Sequence, residues 1–250
     1  MMIRPAVLLR ATLALLLPAL PALAQSPPEA EMSFSTGVMH LREGRVDLAL
    51  AEFKKAVKAD GKNAYFQKGL GLAYSKKGEW KPAIAAFRRA LEINPYYADV
   101  RNDLAAALVG SGDREAGKKE FLTAFSDPTN PTPEVSARNL GQVFFEEKNY
   151  PEAINWYRSS VNRNKDYPDG YLGIADTLAA LGQNTEAVLQ LEAAVALMPT
   201  DIGLQLALGQ AFLRAGRFGE ARARLEAVVR KDPAGPLGRA AADQLKSVPK

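Results

Sequence analysis

One interval governs this chain: the pattern of residues 64–97 returns every 34 residues. Within that window Leu70, Gly71, Tyr74, Gly78, Ala83, Phe87, Ala90 and Pro95 mark the pattern. A shift back by 34 lands on Gly37, Gly44, Ala49, Phe53 and Ala56, and a shift forward on Leu104, Ala105, Leu108, Gly112, Gly117, Phe121 and Ala124. Self-similarity at such a period means stacked supersecondary units, none of which can bury its apolar face alone. Each unit alternates apolar spacings of three and four, with a Gly near its middle and a Pro near its end, which predicts two antiparallel helices per unit. Small residues at Gly71 and Ala83 predict close helix approach, with Phe87 and its equivalents filling the space between neighbouring units. Gly78 suits the left-handed backbone after the first helix. In the fourth unit Lys148 stands in that slot, so the left-handed turn is expected at Asn149 instead.

The units run 30–63, 64–97, 98–131, 134–167, 168–201 and 202–235, and 237–248 reads as a capping helix over the open end. The register slips by two residues between the third and fourth units. The extra length falls in Asp127-Pro128-Thr129-Asn130-Pro131-Thr132-Pro133, where three prolines exclude a continuing helix. Residues 25–29 read as a linker. Residues 1–24 read as a secretory signal peptide: Arg4 and Arg10, an apolar run over 11–20, and Ala22-Leu23-Ala24 as a small-residue cleavage site. An uncleaved anchor is the alternative, against which Arg10, Pro18 and Pro21 interrupt any apolar stretch of roughly 20 residues. Export follows from this reading.

Charge and residue types narrow the function classes. The net charge of +4 falls to +2 without the two arginines of residues 1–24, so no basic footprint for nucleic acid is expected. A local excess of Lys and Arg over residues 210–250 reads as a solvated end, with an acidic or anionic-lipid partner as the alternative. Membrane contact, if any, is peripheral. The chain has no cysteine, which removes disulfides and thiolate chemistry. Gly112 to Lys119 mimics a phosphate-binding loop, but Lys119 replaces the Ser or Thr that would hold magnesium, and the segment crosses a helical turn rather than leaving a strand. The single histidine, His40, occupies the slot of Tyr74 and reads as a packed ring. No catalytic constellation, metal site or cofactor is expected.

These residues resemble the tetratricopeptide (TPR) family over nearly the whole length after residue 29. The resemblance implies an all-α, right-handed α-solenoid of six helix pairs plus the capping helix, a non-enzymatic scaffold that takes a protein segment in its concave groove. It also implies the groove positions: Phe34, Val38, Leu41, Tyr65, Lys68, Leu72, Lys76, Asn102, Val109, Arg138, Gln142, Phe145, Leu172, Asp176, Leu206, Gln210 and Leu213. Phe34 and Val38 replace the Lys and Asn with which chaperone-tail members grip a terminal carboxylate. Residues 102–166, with N-D-L-A-A-A-L-V-G, D-P-T-N-P-T-P and R-N-L-G-Q-V-F-F-E-E-K-N-Y-P-E-A-I, resemble more narrowly the TPR pilotins of type IV pilus systems, exported six-repeat proteins that help an outer-membrane secretin assemble. That implies a periplasmic assembly factor, associated or not with the outer membrane, whose partner is a secretin or pilus subunit. The missing lipidated cysteine departs from that group. An adaptor of another envelope complex, such as cytochrome maturation or polysaccharide export, is the alternative.

Overall fold

The computed structural model describes residues 26–249, so the signal-peptide reading of residues 1–24 lies outside the described residues. Thirteen α-helices and no strand occur among them: α1 (Pro28–Arg42), α2 (Val46–Ala59), α3 (Ala64–Lys76), α4 (Trp80–Ile93), α5 (Ala98–Gly110), α6 (Arg114–Ser126), α7 (Pro133–Glu146), α8 (Tyr150–Arg163), α9 (Pro168–Ala180), α10 (Asn184–Leu197), α11 (Ile202–Arg214), α12 (Phe218–Lys231) and α13 (Pro236–Leu245). The all-α solenoid class expected from the repeat is the observed one.

Local chemistry sets the helix starts. Asn63, Asp113, Asn149 and Asp201 cap α3, α6, α8 and α11 by accepting from a backbone N–H of the first turn. Prolines stand in the first turns of α1, α7, α9 and α13, where a missing N–H costs nothing. Two boundaries differ from expectation. Helix α1 starts at Pro28, inside the stretch read as linker, and α13 ends at Leu245 because residues 246–249 turn back, burying Val248.

Each helix packs on the next, and each odd-numbered helix also packs on the following odd-numbered one. Among the described residues no two even-numbered helices bring their backbones this close, and side chains bridge the wider gap where Trp156 of α8 meets Phe125 of α6 edge-on at 5.4 Å. The odd row is therefore the inner, tighter curve, and the even row forms the splayed outer layer. Glycines permit the tight pairing: a Cβ on Gly71 would lie 2.5 Å from the Phe87 ring, and one on Gly141 would lie 2.7 Å from Tyr157. Phe53, Phe87, Phe121 and Tyr157, with Leu191 and Leu225, occupy equivalent buried positions between layers. Removing such a side chain to Ala typically costs about 2–5 kcal/mol.

The two-residue slip is an ordered connection. Asn130 is buried there, its Nδ2 donating to the Ala124 carbonyl (2.7 Å) and its Oδ1 accepting from Thr132 N (3.0 Å). Asp127 accepts from the backbone and the hydroxyl of Thr129, and these bonds hold its carboxyl below the ordinary carboxylate value. The extra residues are thus absorbed locally, and α7 resumes the stack.

The turn before α8 corrects an expectation. Lys148, not Asn149, takes the left-handed conformation, with φ of 60° where Gly78 has 73°. Asn149 is instead committed to capping α8 through Glu152 N. The cap fixes Asn149 outside the turn, and the strain falls on the residue before it.

Candidate functional site

Three hollows open between successive odd-numbered helices. The first, about 360 Å³, lies between α1 and α3 and is lined by Phe34, Val38, Leu41, Arg42, Phe53, Tyr65, Lys68, Gly69, Leu72 and Tyr97. Its floor is aromatic: the Phe34 ring stands 5.6 Å from Phe53 and 5.2 Å from Phe66. Its rim is polar. Lys68 donates to Asp99 and lies 5.3 Å over the Tyr97 ring, which meets Tyr65 edge-on at 5.2 Å. Tyr65 is 62% exposed, a large aromatic kept in water beside an apolar hollow.

Next to this rim sits Asp103, a helical turn beyond Asp99 on the same face of α5. Burial pushes its carboxyl up to about 6, Lys68 pulls it back, and Asp99 pushes it further up. Burial and the Asp99 charge likewise raise the Tyr97 hydroxyl. A carboxylate held at such a cost on a concave wall is characteristic of functional surfaces.

The second hollow, about 170 Å³, lies between α5 and α7 and includes Ala106, Val109, Phe121, Gln142 and Glu146. Gln142 also lines the third, about 200 Å³, between α7 and α9, with Arg138, Phe145, Tyr157, Asp169, Leu172, Gly173 and Asp176. Tyr157 forms its floor and donates from its hydroxyl to Gln142 Oε1 at 3.1 Å. Burial pushes that hydroxyl up to about 12.

Of the residues expected in the groove, Phe34, Val38, Leu41, Tyr65, Lys68 and Leu72 meet in the first hollow. Val109 and Gln142 meet in the second, and Arg138, Gln142, Phe145, Leu172 and Asp176 in the third. Lys76 is exposed at the end of α3, and Gln210 is half-buried on α11. Three of the expected residues are drawn into the chain's own packing. Asn102 is buried, with Oδ1 lacking a hydrogen-bond partner among the described residues. Leu206 is buried with Leu225, Val228, Ala241 and Val248, because α13 and the following turn fold over it. Leu213 packs against that cluster and its neighbour, so it is engaged within the chain.

Sequence reasoning passed over Tyr97, Asp103 and Tyr157 as wall residues. Tyr97 was the last residue of a unit and Tyr157 a packing ring; the one available signal for Asp103 was its spacing of four from Asp99. The loop-like segment Gly112–Lys119 is the turn after α5 and the first turns of α6, with Gly117 pressed under α5 and Lys118 paired with Glu115 and Glu147. No described helix is long and apolar enough to cross a membrane.

Tetratricopeptide repeat models match residues 17–64, 40–98 and 178–245, and a TPR repeat model matches 141–182. The type IV pilus assembly protein PilF of Pseudomonas aeruginosa is 26% identical over 142 residues, which is 57% of this chain and 56% of PilF. Hsp70-Hsp90 organizing protein 2 of Arabidopsis thaliana is 26% identical over 186 residues, 69% of this chain and 31% of that protein. The chain thus spans between about a third and somewhat over half the length of these curated relatives. The crystal structure of PilW, a widely conserved type IV pilus biogenesis factor, superposes with a TM-score of 0.67 at 20% identity, covering 86% of this chain and 99% of PilW. With repeat matches over most of the chain and odd-numbered helices stacked along one concave face, this is a tetratricopeptide repeat protein that resembles type IV pilus assembly factors.

Proposed function

We propose that this chain is a periplasmic assembly factor of a type IV pilus system that holds a segment of a secretin or pilus subunit in its concave groove. The observation that carries this reading is the first hollow: about 360 Å³, walled by Phe34, Val38, Leu41 and Leu72, and left open by the side chains of the described residues. An apolar anchor of the partner buries itself there, at about 25 cal/mol per Å² removed from water. The polar rim of Lys68, Asp99 and Tyr65 remains at hand for the partner's backbone groups. The similarity to PilF and PilW supports the pilus system, and the resemblance of residues 1–24 to a signal peptide supports the compartment. The mechanism is steric and hydrophobic: the groove covers an aggregation-prone face and yields it when subunits pair with each other.

The test is capture in the native cell. Tagged protein, crosslinked and purified, is expected to bring down a secretin or pilus subunit, and Leu41→Asp with Leu72→Asp is expected to lose it while helical content is kept. Recovery of a different envelope complex would overturn the pilus assignment. Undiminished recovery with the double variant would overturn the groove assignment.

A further inference from the structure

The third hollow differs from the first in what it offers. Along α9, Asp169, Leu172, Gly173 and Asp176 fall at spacings of three, four and seven, which puts them on one helical face. Gly173 makes the depth: a Cβ there would sit 2.4 Å from the Tyr157 ring, so the floor lies directly beneath a bare backbone. Leu172 and Phe145 form apolar walls, both packed against the core around Tyr157 and Ile174. A slot of about 200 Å³ with apolar walls and a carboxylate at either end is shaped for one long side chain.

The charges point to its sign. Neither Asp169 nor Asp176 has an ion pair among the described residues. Among the described residues Asp169 accepts only from the Tyr167 hydroxyl, at 3.4 Å. Arg138 lies at the Asp169 end, where its Nη1 donates to Asn139 Oδ1 (3.3 Å). Asp176 keeps an open edge, yet the groove walls remove enough water from its carboxyl to raise its pKa, and Arg214 opposes this more weakly. The lining carries two carboxylates against one guanidinium. Both carboxylates are exposed at the rim of the slot and lack an ion-pair partner among the described residues, so each is open to a charge-assisted hydrogen bond from a cation that a partner brings.

We propose that the slot between α7 and α9 is a specificity subsite for a Lys or Arg side chain of the bound segment. Its aliphatic stem lies between Phe145 and Leu172, and its charged head meets Asp176. Long basic side chains match such a site because they bury the stem and keep the head polar. This inference rests on the concave face being the partner surface, and it adds a basic residue to the partner's description. The segment would then carry an apolar anchor for the first hollow and a basic residue for the third.

The test uses a side-chain mimic, so it does not depend on knowing the partner. n-Butylguanidinium chloride and the uncharged n-butylurea are titrated into isotopically labelled protein while backbone amide shifts are followed. The expected result is saturable movement of the Leu172, Gly173 and Asp176 amides with the guanidinium, with affinity roughly tenfold or more above that of the urea. Asp176→Asn, close in shape and checked for unchanged helical content, is expected to abolish the preference, and added salt to weaken it. Equal response to the two probes, a preference that survives in Asp176→Asn, or no saturable response would each overturn the subsite. Such failure would leave capture by the first hollow standing, because capture is read from the recovered partner and not from these amides.

Discussion

The two ends of the solenoid place the same repeat positions in opposite surroundings. At the first end, Phe34 and Leu72 on α1 and α3 border an open apolar hollow with an aromatic rim. At the last end, Leu206 on α11, which holds the repeat position of Phe34, is sealed under α13 by Val248 and Ala241. A residue's place in the repeat therefore fixes its face of the helix, and the neighbouring element decides whether that face meets a partner or the chain itself. Burial consumes Leu206 in folding; incomplete burial leaves Leu72 for binding.

Substitutions can break this contrast, the largest effect first. Leu206→Ala is expected to lose about 2–5 kcal/mol of stability, whereas Leu72→Ala is expected to lose about 1 kcal/mol or less and to weaken capture instead. Urea denaturation of both variants decides it. Equal losses would mean that the first hollow is core and not surface.

Asp103 sharpens the contrast by its sign. The folded carboxyl keeps its proton to about pH 6, whereas the ordinary value is 3.8, so the native state binds more protons between those values. Stability therefore falls as pH rises through that window, and the loss is complete above pH 6. Asp103→Asn is expected to gain up to about 3 kcal/mol at pH 7 and almost nothing at pH 3. A gain of the same size at both pH values would show that the carboxyl's ionisation is not the cause.

Packing of the pairs should also differ between the ends. A methyl added at Gly71 meets the rigid Phe87 ring at 2.5 Å, and one at Gly209 meets a terminal methyl of Leu225 at 2.8 Å. Gly71→Ala is expected to cost about 1–3 kcal/mol, and Gly209→Ala less, because a leucine can change rotamer where a ring cannot. Melting curves that reverse this order would show that the ring yields. The smallest effect belongs to the turn at Lys148: Lys148→Gly is expected to add about 1 kcal/mol by relieving a left-handed backbone, and an unchanged melting temperature would mean that the turn carries no strain.

The fold was legible because Gly71 against Phe87, and their equivalents at Gly141 and Tyr157, admit few alternatives: a tight helix crossing demands a missing side chain facing a large one. The slip at 127–133 was legible for a related reason, since three prolines forbid a helix. The walls of the groove were only partly legible. Phe34 and Leu206 hold the same position of the sequence pattern, and what separates them is the cover of α13 and residues 246–249 over α11; a capping helix is readable there, but which α11 side chains it seals is a tertiary outcome. Asn102 shows the same limit, a polar residue at a groove position that its neighbours cover. Lys148 shows another: two residues competed for one turn, and the helix cap claimed the asparagine.

The central claim is that partner and chain meet on the odd-numbered helices at the open end. The direct measurement is site-specific photocrosslinking in the native cell, with the photoreactive residue placed at Leu72 in the hollow or at Arg88 on the outward-facing α4. A discrete adduct containing a secretin or pilus subunit from position 72, and none from position 88, is the predicted result. An adduct from position 88 with none from position 72 would contradict it.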